Sequence, residues 1–196
     1  IKPAALILNI AVACLGSFQF WRAGYFQWRL FWPFALLSIP CAFLGGYANL
    51  PAHFFKGLVG AVLLFSAVRL LIKPPEESEP RPPGLPASLG TGAGLGLLAG
   101  LTGTGGGIFL TPLMLFLHWA RTKNVAAVSA MFILVNSLAG LAGNFSSAKN
   151  LPGVAWPLLS AAIVGGASGS YLGGRRFSPI LFKRLLAVVL VVAGLK

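Results

Sequence analysis

Between Gly100 and Ile108 the chain reads Gly-Leu-Thr-Gly-Thr-Gly-Gly-Gly-Ile, with Pro112 four residues further on, in the middle of a long apolar stretch. The chemistry open to such a run is anion binding by main-chain groups. A helix starting near Gly106 to Ile108 leaves its first N–H groups without acceptors, backed by the positive end of the helix dipole. An anion fits there without a buried Arg. Thr102 and Thr104 offer hydroxyl donors, and Gly103, Gly105, Gly106 and Gly107 let the backbone approach a ligand closely. Asn136, Ser137 and Asn9 are the side chains expected to complete the site. The competing reading gives the glycines to close helix packing and the asparagines to hydrogen bonds between helices.

Other chemistry finds little support. The apolar segments hold no Ser/His/Asp set, paired carboxylates or metal-ligand spacing, so neither an enzyme nor a metal or other cofactor is expected. The three acidic residues, Glu76, Glu77 and Glu79, all fall in the Pro-rich stretch from Lys73 to Gly84. Proton coupling through an intramembrane carboxylate is therefore excluded for this chain. That leaves a His, a sodium ion held by oxygen ligands, or uncoupled flux.

The elements that must position these residues follow from composition. Of 196 residues 57% are hydrophobic and 9% charged, with a mean hydropathy of +0.84. Apolar stretches run from about Pro3 to Phe18, Leu30 to Leu50, Phe54 to Ile72, Leu85 to Trp119, Val125 to Asn144, Val154 to Leu172 and Ile180 to Leu195. That pattern predicts an all-α polytopic protein, multi-pass in the cell inner (plasma) membrane, with the lipid bilayer as its partner. The net charge of +12 does not point to nucleic acid, because the basic residues cluster at segment ends as topology signals. Cys14 and Cys41, inside apolar segments, read as small hydrophobes. His53 and His118 at segment ends suggest interfacial hydrogen bonds, and Trp21, Trp28, Trp32, Trp119 and Trp156 an aromatic belt. Gly165, Gly166, Gly169, Gly173 and Gly174 suggest a small-residue packing face.

Bilayer hydrocarbon offers no hydrogen-bond partners, so a non-helical break at membrane depth survives only when buried in protein or lining a wet cavity. Such breaks mark transport sites. An internal repeat frames this one. Asn9 and Gly16 match Asn136 and Gly143 at an offset of 127; Trp32-Pro33 and Gly45 match Trp156-Pro157 and Gly169 at 124. Leu50-Pro51 and Lys56 match Ser178-Pro179 and Lys183. Residues 1–72 are thus expected to form a first repeat, 73–84 a solvated Pro/Glu-rich linker and 85–196 a second repeat. A first-half copy of the glycine break is expected upstream of Ile1, so the first repeat reads as N-terminally incomplete. Swapped loop charges favour inverted repeats, with the glycine-rich segment broken or re-entrant, since Ile108 to Trp119 is too short to span alone.

The block from Gly96 through the glycine triplet to Pro112, together with Ala126-Ala-Val-Ser129 and Asn136-Ser137-Leu-Ala-Gly140, resembles the second-half signature of the sulfite exporter TauE/SafE family of permeases. Ser129 departs from the pattern, sitting where many members show a Thr-Ser pair. The resemblance implies movement of small anions, such as sulfite, sulfoacetate or related organosulfur anions, across a bacterial inner membrane. An anion channel using the break as a filter, or a non-transporting assembly or sensor subunit, is the alternative. The residues leave a homo-oligomer open.

Overall fold

The computed structural model describes residues 2–48, 53–72, 79–147 and 156–194. Eight helices make up the described part: α1 (Lys2–Arg22), α2 (Trp28–Tyr47), α3 (His53–Ile72), α4 (Leu85–Thr102), α5 (Gly107–Phe116), α6 (Thr122–Ser147), α7 (Trp156–Arg175) and α8 (Pro179–Gly194). Among the described residues there is no strand, and four helices are long and apolar enough to cross a membrane: α1, α2, α4 and α6. Leu50-Pro51, Lys73 to Ser78, Lys149 and the end of the last apolar stretch lie outside the described residues.

Glycine decides how these helices meet. With little hydrophobic drive between helices in lipid, association rests on close van der Waals packing, and a missing Cβ lets backbones touch. Gly92, Gly96 and Gly100 of α4 lie directly on the backbone of Phe34, Ser38 and Ala42 of α2, in parallel register. Gly143 and Gly46 bring α2 and α6 together in the same way, at Phe43 and Gly140. At the other end Leu30 of α2, Leu85 of α4 and Asn124 of α6 border one cavity, so these three helices begin on the same side.

α1 runs opposite to α6: Leu6 meets Gly140, Gly16 meets Ala130, and Phe20 packs with Ala126 and Ala127. Phe34, Leu63, Leu70, Leu110, Met114, Phe132 and Leu190 anchor the buried core that ties α2, α3, α5, α6 and α8 together. α3 meets α8 where Gly60 faces Gly194, and α7 lies on α1, with Ser170 Oγ donating to Gln19 Oε1 at 2.8 Å.

α5 turns back along α4 instead of continuing it. A Cβ built on Gly106 would lie 3.1 Å from Ala99 Cβ and 3.2 Å from Leu95 O. At the far end the Arg81 N–H donates to the His118 carbonyl at 2.8 Å. The expected solvated linker is therefore pinned, in its described part, across the turn that follows α5.

The small-residue face expected on α7 divides in two. Gly166 sits on Val12, and Gly173 and Gly174 are buried beside Phe182 and Phe20, whereas nothing lies within 4 Å of a Cβ at Gly165 or Gly169. Trp21 and Trp28 are exposed as a belt requires, while Trp119 is half-buried with its ring 5.7 Å from that of Phe34. Cys14 is exposed and Cys41 half-buried.

Candidate functional site

Helix α4 ends at Thr102, and the main chain then turns through three left-handed glycines, Gly103 (φ 75°), Gly105 (φ 71°) and Gly106 (φ 76°), before α5 starts at Gly107. Any L side chain is strained in that region, which is why the turn needs glycine. Gly106 is the N-cap of α5 and supplies no side chain to cap it. Phe109 and Leu110 donate their N–H groups back to the Gly106 carbonyl at 3.1 and 3.2 Å. By helix geometry the N–H groups of Gly107 and Ile108 have no acceptor within α5.

This turn rests against the middle of the 26-residue α6. A Cβ on Gly105 would come within 2.8 Å of Ser137 Oγ and of Ile133 Cγ2, and one on Gly107 would run into the Ile133 side chain and lie 3.1 Å from Ser129 O. Ser129, Ile133, Ser137 and Gly140 recur at a spacing of one helical turn, so they form a single stripe, with Asn136 alongside. From α1, Asn9 Nδ2 donates to the Gly103 carbonyl at 3.3 Å. The α1–α6 register, set by Leu6 on Gly140 and Gly16 on Ala130, puts Asn9 level with Asn136 and Ser137.

Asn136 and Ser137 are fully buried and Ser129 is 3% exposed. Among the described residues, neither Asn136 Oδ1 nor Nδ2 has a hydrogen-bond partner, nor do the hydroxyls of Ser129 and Ser137. A buried, unpartnered amide or hydroxyl costs about 1–3 kcal/mol, so such groups occur where something else satisfies them. The packing reading of Asn136 as a hydrogen-bonded link between helices finds no bond to rest on.

Thr102 departs from the expected role. Its hydroxyl donates to the Leu98 carbonyl at 2.6 Å, closing the last turn of α4, and stands 2.9 Å from Thr104 Oγ1. With the Thr102 proton committed to Leu98, Thr104 is the donor between the two. Thr111 is likewise occupied, donating to the Gly107 carbonyl at 2.8 Å. Ser129 and Ile133 were not expected as members of the stripe; the signal available in the sequence was the spacing of four from Ser129 to Ile133 and from Ile133 to Ser137. A cavity of about 770 Å³ lies away from the turn, at the end where α2, α4 and α6 begin.

Long apolar helices and a helix turn buried halfway along a neighbour define a class: polytopic helical membrane proteins. The comparisons narrow it. The sequence matches sulfite exporter TauE/SafE over residues 1–196, and the chain belongs to that family of membrane transporters. It is 39% identical over 202 residues to the "Probable membrane transporter protein y4hK" of Sinorhizobium fredii (strain NBRC 101917 / NGR234), covering all of this chain and 81% of the relative. It is 27% identical over 210 residues to the "Probable membrane transporter protein YjnA" of Bacillus subtilis (strain 168), covering 97% of this chain and 82% of that one. No solved structure matches. The protein is thus a multi-pass transporter of the inner (plasma) membrane that acts on a small substrate, and its family is not an enzyme class.

Proposed function

We propose that the protein exports small anions, sulfite, sulfoacetate or related organosulfur anions, through a site at the α4–α5 turn. The observation that carries this is Asn136: fully buried, with both amide atoms unpartnered among the described residues, on the helix that sets Ile133 and Ser137 against the α4–α5 turn. The ligand's oxygens accept from the Gly107 and Ile108 N–H groups, from Asn136 Nδ2 and from the Ser137 and Ser129 hydroxyls. The Thr104 hydroxyl reaches it once freed from Thr102. Asn9 holds the turn through the Gly103 carbonyl. No full positive charge is required, because the helix dipole and neutral donors supply the field.

The same reading treats 1–72 and 85–196 as inverted repeats about a linker at 73–84, with α4 and α5 as a re-entrant pair. Its supports are geometric. The proposed counterparts α1 and α6 pack antiparallel, as inversion requires, and the contact of α2 with α6 is mirrored by that of α7 with α1. Arg22, Arg29, Arg69, Arg81, Arg121, Lys123 and Arg175 all gather at the end where α2, α4 and α6 begin, which the positive-inside rule makes cytoplasmic. A homo-oligomer is compatible with this arrangement.

An inside-negative potential drives anions outward with about 2.3 kcal/mol per elementary charge at 100 mV, so efflux needs no coupling ion. The test is electrogenic flux in proteoliposomes holding the full-length protein, with sulfite, sulfoacetate, thiosulfate, sulfate and chloride offered in turn. A saturable current for one sulfur oxyanion, lost in Asn136→Leu, supports the reading. Folded protein that passes none of them overturns it.

A further inference from the structure

The 770 Å³ cavity is separate from the α4–α5 turn and has its own chemistry. Its charged lining residues are Arg29 and Arg121; among the described residues no acidic side chain lines it, and neither guanidinium has a partner. Asn124 and Gln27 add amide donors, and Trp32 and Trp119 flank it. Three helices start around it, so their positive dipole ends add to the field of the two guanidiniums. Positive charge gathered around one concave space draws an anion.

Size and place say which anion. Sulfite and sulfate have four or five heavy atoms and sulfoacetate about eight, whereas cavities of this volume hold ligands of drug size. The indoles on either side belong at the level of lipid headgroups. The basic end is the one that the positive-inside rule turns toward the cytoplasm, where anionic lipids collect against basic pockets. From the cavity, Pro33, Leu37 and Leu44 continue as one stripe along α2, and the two leucines are exposed on the lipid side.

We infer that this cavity binds the phosphate headgroup of an anionic phospholipid of the cytoplasmic leaflet. Arg29 and Arg121 hold the phosphate oxygens, Asn124 and Gln27 bond the remaining headgroup oxygens, and an acyl chain follows Leu37 and Leu44. The cavity joins the start of α4, the turn after α5 and the start of α2. A bound lipid therefore clamps both ends of the α4–α5 pair to α2. The inference does not depend on which solute the protein carries.

The experiment is native mass spectrometry of the full-length protein released from nanodiscs of phosphatidylglycerol and phosphatidylcholine with identical chains. Roughly 1 kcal/mol per basic residue near the headgroups makes the expected preference for phosphatidylglycerol about tenfold or more. Arg29→Gln with Arg121→Gln should abolish that preference, and Arg175→Gln with Arg176→Gln, at the same end but outside the cavity, should leave it. Both pairs are exposed, so neither substitution threatens folding. Equal retention of the two lipids, or a preference surviving the Arg29/Arg121 change, overturns the proposal. So does displacement of phosphatidylglycerol by millimolar inorganic phosphate or sulfite, which would make the cavity a port for soluble anions.

Discussion

At the scale of single residues, Asn136 separates a ligand site from a structural link. Its amide has no partner among the described residues, so Asn136→Leu removes two unsatisfied buried atoms and should hold or raise thermal stability, while flux falls to background. A structural Asn gives the reverse, a loss of about 1–3 kcal/mol by denaturation in detergent. The threonines divide in a similar way. Thr102→Val should shorten α4 with a modest loss of stability, because its hydroxyl closes the last turn on Leu98. Thr104→Val should instead raise the apparent KM for the anion with little change in melting temperature. Gly106→Ala meets both a left-handed φ, costing about 1–2 kcal/mol, and the Phe132 ring, 2.9 Å from the added Cβ. It should abolish transport and lower stability in the same variant.

At the scale of helices, the glycine ladder of α4 determines where the turn sits. Gly92, Gly96 and Gly100 touch α2 backbone directly, so Gly96→Leu forces the two helices apart. Overpacking of this kind costs about 1–3 kcal/mol or more, and the expected result is loss of the folded monomer in fluorescence size-exclusion chromatography. Gly165→Leu on α7 meets nothing within 4 Å and should leave the same profile unchanged. Both helices are glycine-rich, and the sequence alone does not rank them; the neighbour at each glycine does.

For the whole molecule, one end carries most of the described basic residues, and this fixes a prediction about orientation. In a chain whose Cys14 and Cys41 are replaced by Ala, cysteine at position 121 should react with an impermeant maleimide only from the cytoplasmic side, and cysteine at 56 only from outside. Reaction of both from one side would remove the re-entrant reading of α4 and α5, since α3 and the α5–α6 turn would then face the wrong way. Flux that follows imposed voltage without a pH or sodium gradient is the companion expectation, because the described helices carry no carboxylate to couple a proton.

Composition by itself determined that this chain lives in a membrane as a bundle of helices. Apolar length and the scarcity of charge within the segments leave hydrocarbon as the only compatible surroundings, whatever the tertiary arrangement. The glycine run lies at the turn between α4 and α5, where the left-handed residues Gly103, Gly105 and Gly106 favour glycine locally. Polar satisfaction was not legible, since a hydrogen bond depends on what a neighbouring helix brings to it. Only the tertiary structure separated Thr102, bonded within its own helix, from Asn136, buried with nothing to bond, and gathered Arg29 and Arg121, 92 positions apart, around one cavity. Which helices pack, and in which direction, is set by contacts far apart in the chain, and no local pattern encodes them.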